Sequence, residues 1–209
     1  TVSNEVTIGD ASVTTVRMGN GDIVYPVAGG SSSLNTQLFT SPGTWTSPGS
    51  ATTAKVTVIG GGAGAYWNSA GGPGGTSSFG SLVSATGGLA APSYSTAGAN
   101  GTGTVSSGTT LVTGSKRSYY TVIDVIGGNG GNNTGGVNTY STSGSVIAGA
   151  GGLRSAGVPN GQGGQGGLAV AIVPVSSPVS VTVGAGGPKP PPNGQYAGCG
   201  GAVLVEWVG

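Results

Sequence analysis

The run Val56–Ala65, VTVIGGGAGA, has the spacing of a dinucleotide-binding turn, a strand followed by G-x-G-x-x-A. In such turns the glycines let the backbone approach a pyrophosphate that sits on a helix N-terminus. The residues that follow, YWNSAGGPGG, are too rich in Gly and Pro to form that helix. An acid about 20 residues further on should hold a ribose, and the next carboxylate is Asp124. Nucleotide binding is not expected.

Other chemistry is equally short of groups. There is no His, so a Ser-His-Asp triad is impossible. Zinc needs several Cys, His or carboxylate ligands, and Cys199 is the single cysteine. Lying in AGCGG, it reads as a small buried side chain. Paired-carboxylate hydrolysis would have to draw on Glu5, Asp10, Asp22, Asp124 and Glu206. Three of these lie near the start, and Asp124 and Glu206 fall in strand-like runs where a solvent-facing or edge position is expected. The chain reads as a non-enzyme with no cofactor and no metal.

The aromatics offer binding instead. Tyr66, Trp67, Tyr94, Tyr140 and Tyr196 sit in glycine- and serine-rich loops. A ring held on a loop presents a flat apolar face, and Tyr adds a hydroxyl. Such rings can stack on sugars while nearby Asn and Gln read hydroxyl groups, so these five are the candidate receptor contacts. Phe39, Trp45 and Trp207 lie in or beside strand-like segments and read as core.

Composition narrows the partners. Charged residues are 5% of the chain, against roughly 25% in ordinary domains, and the net charge is +1. Nucleic acid requires clustered Lys and Arg, and only Lys116-Arg117 are adjacent. No apolar run approaches the roughly 20 residues of a membrane span, so membrane insertion is not expected. TVSNEVTIGD, at the start, has neither the basic region nor the apolar core of a signal peptide. Glycine fills 47 of 209 positions. Disorder usually combines such low complexity with high net charge and few β-branched residues. Here the charge is near zero and Val, Ile and Thr cluster, which favours an ordered β protein.

No segment carries the helical i, i+3, i+4, i+7 apolar pattern, and short β-branched runs recur instead. The clearest are Lys55–Ile59, Tyr119–Ile126, Leu168–Val173, Val179–Val183 and Ala202–Val208. Each adjoins a glycine tract, so glycine sits at strand ends, not inside strands where it would weaken pairing. Gly71–Gly75 (GGPGG), Gly127–Asn132 (GGNGGN) and Gly161–Gly167 (GQGGQGG) repeat with a period near three. That is the period of an extended polyproline-II-type helix, which can pack side by side with others where missing side chains let backbones touch. Pro188–Pro192, PKPPP, reads as a further polyproline-II stretch on the surface.

The opening differs. Residues 1–28 hold three of the five acids, with turn signals at Gly9-Asp10 and Asn20-Gly21-Asp22 between β-branched runs. They read as a β-hairpin arm able to add strands to a partner protein. Residues 29–37, which include GGSSS, read as a linker, and 38–209 as the glycine-rich β domain. The expected fold is mainly β: a sandwich-like domain with polyglycine/polyproline-II-type helices at one end, plus the N-terminal hairpin arm.

Four stretches resemble the glycine-rich domains of bacteriophage tail fibres and tail adhesins. FTSPGTWTSP (Phe39–Pro48) followed by KVTVIGGGAG (Lys55–Gly64) is similar to the family's opening. VTVGAGG (Val181–Gly187) resembles an internal strand-turn, and GGAVLVEWV (Gly200–Val208) its closing strand. VTTVRMGNGDIVYP (Val13–Pro26) is similar to a short repeat common in phage structural proteins. The stretch from Phe79 to Ser118, richer in Ser and Thr, departs from the family pattern. The resemblance implies a virion protein: a fibre tip or adhesin whose loops contact a host surface glycan or other surface polymer, joined to other virion proteins through the arm. The alternative it leaves is a capsid decoration or head-fibre protein projecting from the shell.

Overall fold

A computed structural model describes residues 15–16, 25–26, 33–48, 51–66, 70–93, 95–115, 122–123, 146–149, 151, 162–176, 178–188 and 197–209. The chain divides into two compact units, Thr1–Ser33 and Leu34–Gly209. In the first, β1 (Thr15–Val16) pairs antiparallel with β2 (Tyr25–Pro26), the pairing expected of a hairpin arm around Asn20-Gly21-Asp22. The Gly9-Asp10 turn lies outside the described residues.

The second unit starts at Leu34, not Leu38. Leu34–Gln37, expected as linker, belong to β3 (Leu34–Phe39), which pairs along β14 (Ala202–Val208). Polar LNTQ carries little strand signal of its own; the register comes from an apolar partner at the far end of the sequence.

The remaining strands are β4 (Gly43–Trp45), β5 (Thr53–Ile59), β6 (Ser77–Phe79), β7 (Val83–Ala85), β8 (Gly103–Val105) and β9 (Thr109–Ser115). They continue with β10 (Val122–Ile123), β11 (Val146–Ile147), β12 (Gly167–Pro174) and β13 (Val179–Thr182). Of the run Tyr119–Ile126, only Val122–Ile123 is described as strand; it pairs with β11. No helix occurs among the described residues.

Two five-stranded antiparallel sheets form the body. The long sheet has the order β3-β14-β5-β12-β9 and the short sheet β4-β13-β6-β7-β8. The chain changes sheet repeatedly, and two of these passages, between β3 and β4 and between β8 and β9, are short corners. The second corner turns at Gly108, whose φ of +100° disfavours a side chain. A Cβ there would also press on Val173 Cα at 2.9 Å.

The core lies between the sheets. The long sheet supplies Ala54, Val56, Val58, Ala169, Ala171, Val173, Val203 and Val205. The short sheet supplies Trp45, Phe79, Val83, Ala85, Val179 and Val181. Trp45 bridges them, with ring centroids 5.7 Å from Phe79 and 5.7 Å from Trp207. Trp207 meets it edge-on at 72°, the favoured aromatic geometry. Phe39 packs against the same cluster, so the three rings expected in the core are in or against it.

Outside the short sheet the side chains are hydroxyls: Thr182, Ser78, Ser84 and Thr104 stand in one cross-strand row. Inside it, buried Ser77 accepts from the Gly184 N–H at 2.9 Å.

The glycine tracts leave the strands at one end of this body. Four excursions share one plan of strand, segment, loop, segment, strand. Segments 60–65 and 71–75 join β5 to β6; 86–91 and 98–102 join β7 to β8. Residues 148–149 and 151 and segment 162–166 lie between β11 and β12; 184–188 and 197–201 lie between β13 and β14. Hydrogen bonds run between segments. Gly60 N–H donates to Gly167 O, Gly61 to Gly75 O and Gly62 to Cys199 O. Ala63 then returns to the first neighbour, at Gly164 O, and Gly64 to the second, at Gly72 O. Elsewhere Leu89 donates to Ala99, Gly101 to Gln165, Gly164 to Leu89, and Gly198 to Gly187. Buried backbone polar groups thus find partners without a sheet.

Glycine is required by the closeness of these backbones. A Cβ on Gly164 would overlap the Ala99 carbonyl and stand 3.0 Å from Leu89 N. Cys199 lies buried inside this lattice, the small side chain its glycine surroundings suggested.

Candidate functional site

Connectivity fixes where the loops are held. The rungs nearest the strands are Gly60–Gly167 and Thr86–Thr102; the rungs farthest from them include Gly64–Gly72, Gly72–Pro188 and Gly98–Gln162. The described ends of these segments, at 64–66, 70–72, 91–93, 95–98, 162 and 188, therefore stand at the end of the lattice away from the sandwich. In the sequence they are joined by the connections 66–70, 92–97, 152–161 and 189–196, most of whose residues lie outside the described ones. Their roots are fixed by backbone hydrogen bonds at 2.8–2.9 Å, for example at Gly64 and Gly98. A rigid base with loops at its end is the usual arrangement for recognition.

Tyr66 is half-buried where segment 60–65 ends. Trp67, Tyr94, Tyr140 and Tyr196 lie outside the described residues. In the sequence Trp67, Tyr94 and Tyr196 fall within three of the four distal connections. Tyr140 falls instead between β10 and β11.

The residues around position 94 are described. Ser93 Oγ donates to Thr96 Oγ1 at 3.1 Å and lies 3.3 Å from Ser95 Oγ, closing a tight turn of hydroxyls. Leu89, 56% exposed on the segment leading to this turn, adds an apolar surface that is not among the five aromatic candidates. Its signal was a lone large apolar side chain in GGLAA. Polar side chains also stitch the lattice: Asn100 Oδ1 accepts from Gln165 N–H at 2.9 Å, and Thr86 Oγ1 from Thr102 N–H at 2.8 Å.

The strand-to-glycine turn at Ile59–Gly60 leads into a lattice segment, not a helix. Gly62, the motif glycine at which the backbone would approach a pyrophosphate, instead donates to the Cys199 carbonyl at 2.8 Å. Among the described residues no three His, Cys, Asp or Glu side chains gather in a way that could hold a metal ion. Glu206, expected at an edge or facing solvent, lies on an inner strand but on the sheet's outer face, where its side chain is 18% exposed and ion-paired with Lys55. Asp124 lies outside the described residues.

No family model, curated protein or solved structure matches the chain.

Proposed function

We propose that the chain is a bacteriophage virion protein of the tail-fibre-tip or adhesin type, non-enzymatic, with the distal loops as its host-contacting surface. The observation that carries this reading is the shared plan of the four excursions. Each runs from a strand through a glycine segment and returns through another, so the segment ends that carry the loops share one end of a stiff support. A surface poor in charge and rich in hydroxyl and amide groups suits neutral glycans or similar surface polymers. Its weak contacts become useful through repeated copies. The arm, residues 1–28, is the attachment to other virion proteins.

The lattice segments are read as polyglycine/polyproline-II-type helices. In a helix with three residues per turn, successive N–H groups point about 120° apart and the fourth repeats the first. The sequence of acceptors for Gly60, Gly61, Gly62, Ala63 and Gly64 supports this, since Ala63 returns to the neighbour of Gly60 and Gly64 to that of Gly61. The GGNGGN tract, outside the described residues, is assigned the same conformation.

Competition tests the function. Purified chain added to host cells before the phage should occupy the receptor and slow adsorption in a dose-dependent way. Adsorption unchanged at saturating protein would remove the adhesin reading.

A further inference from the structure

The two outer faces of the sandwich are unlike each other. The short sheet turns Ser and Thr outward, whereas the long sheet turns outward Leu34, Val208, Val170, Ile172 and Val112. Leu34 is 68% exposed, Val208 57%, Val112 48% and Ile172 43%. In β12 the bulk is reversed from what a solvent-facing surface needs. Ala169 and Ala171 face the core, and Leu168, Val170 and Ile172 face out. Near the lattice this outer face is covered, where Ala148 packs with Ile59, Ala202 and Leu204. Farther along it is open and forms a shallow groove of about 530 Å³.

At the middle of the open part stand Lys55 and Glu206, opposite each other on β5 and β14, with Nζ and Oε2 2.7 Å apart. They are the only charged side chains among the described residues. One positive and one negative group side by side on an apolar face make a self-complementary pattern. An isologous two-fold contact requires the same patch to fit itself.

We propose that this face is the contact between two copies of the chain. The two-fold axis lies between the faces and along the strands, over the line between β14 and β5. Each Lys55 then meets Glu206 of the second copy, giving four charges of alternating sign. β12 of each copy lies over β3 of the other, setting Ile172 and Val170 against the Leu34–Leu38 strand. The sheets stack in the aligned manner, about 10 Å apart. An axis across the strands would set Lys55 on Lys55 and is disfavoured. With the axis along the strands, both lattices point the same way and the two loop ends stand side by side.

Sedimentation of the full chain over a concentration series tests this. The parent should be a dimer that dissociates on dilution, and Ile172→Glu, at an exposed position, should be monomeric and melt as the parent does at dilutions where the parent is itself monomeric. Lys55→Glu leaves two negative groups on the face and Glu206→Lys two positive ones, so each variant alone should be monomeric. Mixed in equal amounts they should form a heterodimer, which a purely intramolecular role for the pair would not produce. A parent that stays monomeric, a stoichiometry other than two, or a dimer that survives Ile172→Glu overturns the proposal. So does failure of the two folded charge variants to pair. If either charge variant fails to fold, the Ile172→Glu result decides alone.

Discussion

Lys55 Nζ lies 2.7 Å from Glu206 Oε2 across the β5–β14 register, with the Lys side chain 46% exposed and the Glu 18%. The contact is ionic and not aligned as a hydrogen bond, so charge alone holds it. Cross-strand opposite charges contribute roughly 0.2–1 kcal/mol, and although Glu206 Oε2 is itself buried, the half-exposed Lys55 side chain leaves the pair open to screening by salt. A double-mutant cycle with Lys55→Met and Glu206→Gln, run at concentrations where the chain is monomeric, should give a coupling of that size that shrinks in high salt. A salt-independent coupling of several kcal/mol would mean that solvent and ions do not reach the Lys55 side of the pair.

The lattice makes a sharper demand. Gly164→Val puts a branched side chain into the Ala99 carbonyl and against Leu89 N, where only backbone can yield. Overpacking costs about 1–3 kcal/mol or more, so thermal unfolding should move down by many degrees. Gly43→Ala is the control. Its new methyl group meets only the Phe39 ring, at 3.2 Å, and a side chain can shift. A Gly164→Val protein melting like the parent would mean that the segments are loosely held loops.

Trp45 joins the two sheets through Phe79 and Trp207. Trp45→Ala should cost about 3–5 kcal/mol, the usual range for emptying an aromatic core site. Its buried Nε1 has no acceptor among the described residues. Trp45→Phe removes that unpaired donor and keeps a ring, so it should cost clearly less. Equal losses in denaturant titration would place the value of Trp45 in the indole N–H instead of in packing.

What the sequence revealed follows from where side chains carry information. The period-two runs Lys55–Ile59, Leu168–Val173 and Ala202–Val208 lie within β5, β12 and β14, and Val179–Val183 runs one residue past β13; all four are inner strands paired on both sides. The three-residue strands β6, β7 and β8, with SSF, VSA and GTV, are too short to show a period. They are set by pairing with neighbours, and Phe79 escaped notice as a core ring for the same reason. Glycine tracts at strand ends were visible. Their mutual register was not, because a residue without a side chain cannot encode which backbone lies beside it. LAVAIV announced a strand but not its orientation: the smaller face turned inward, because Trp45 and Phe79 of the opposite sheet already fill the space. Of the candidate site, the positions of the aromatics between strand-like runs were legible, and the structure places Tyr66 alone among them, at the end of segment 60–65; the other four lie outside the described residues.

The loop reading predicts a separation of effects. Tyr66→Ala combined with Trp67→Ala should leave particle assembly and the melting temperature near the parent's, since Tyr66 is only half-buried at the end of a lattice segment. Adsorption to host cells should fall. Normal adsorption by such particles, counted as unbound phage over time, would remove this loop from the receptor contact.

The most direct measurement is a reconstruction of the intact phage with this chain located in it. The chain should lie at the tip of a tail fibre, with the connections 66–70, 92–97, 152–161 and 189–196 turned away from the particle. Finding it on the capsid, or with those connections buried against another virion protein, would contradict the adhesin reading.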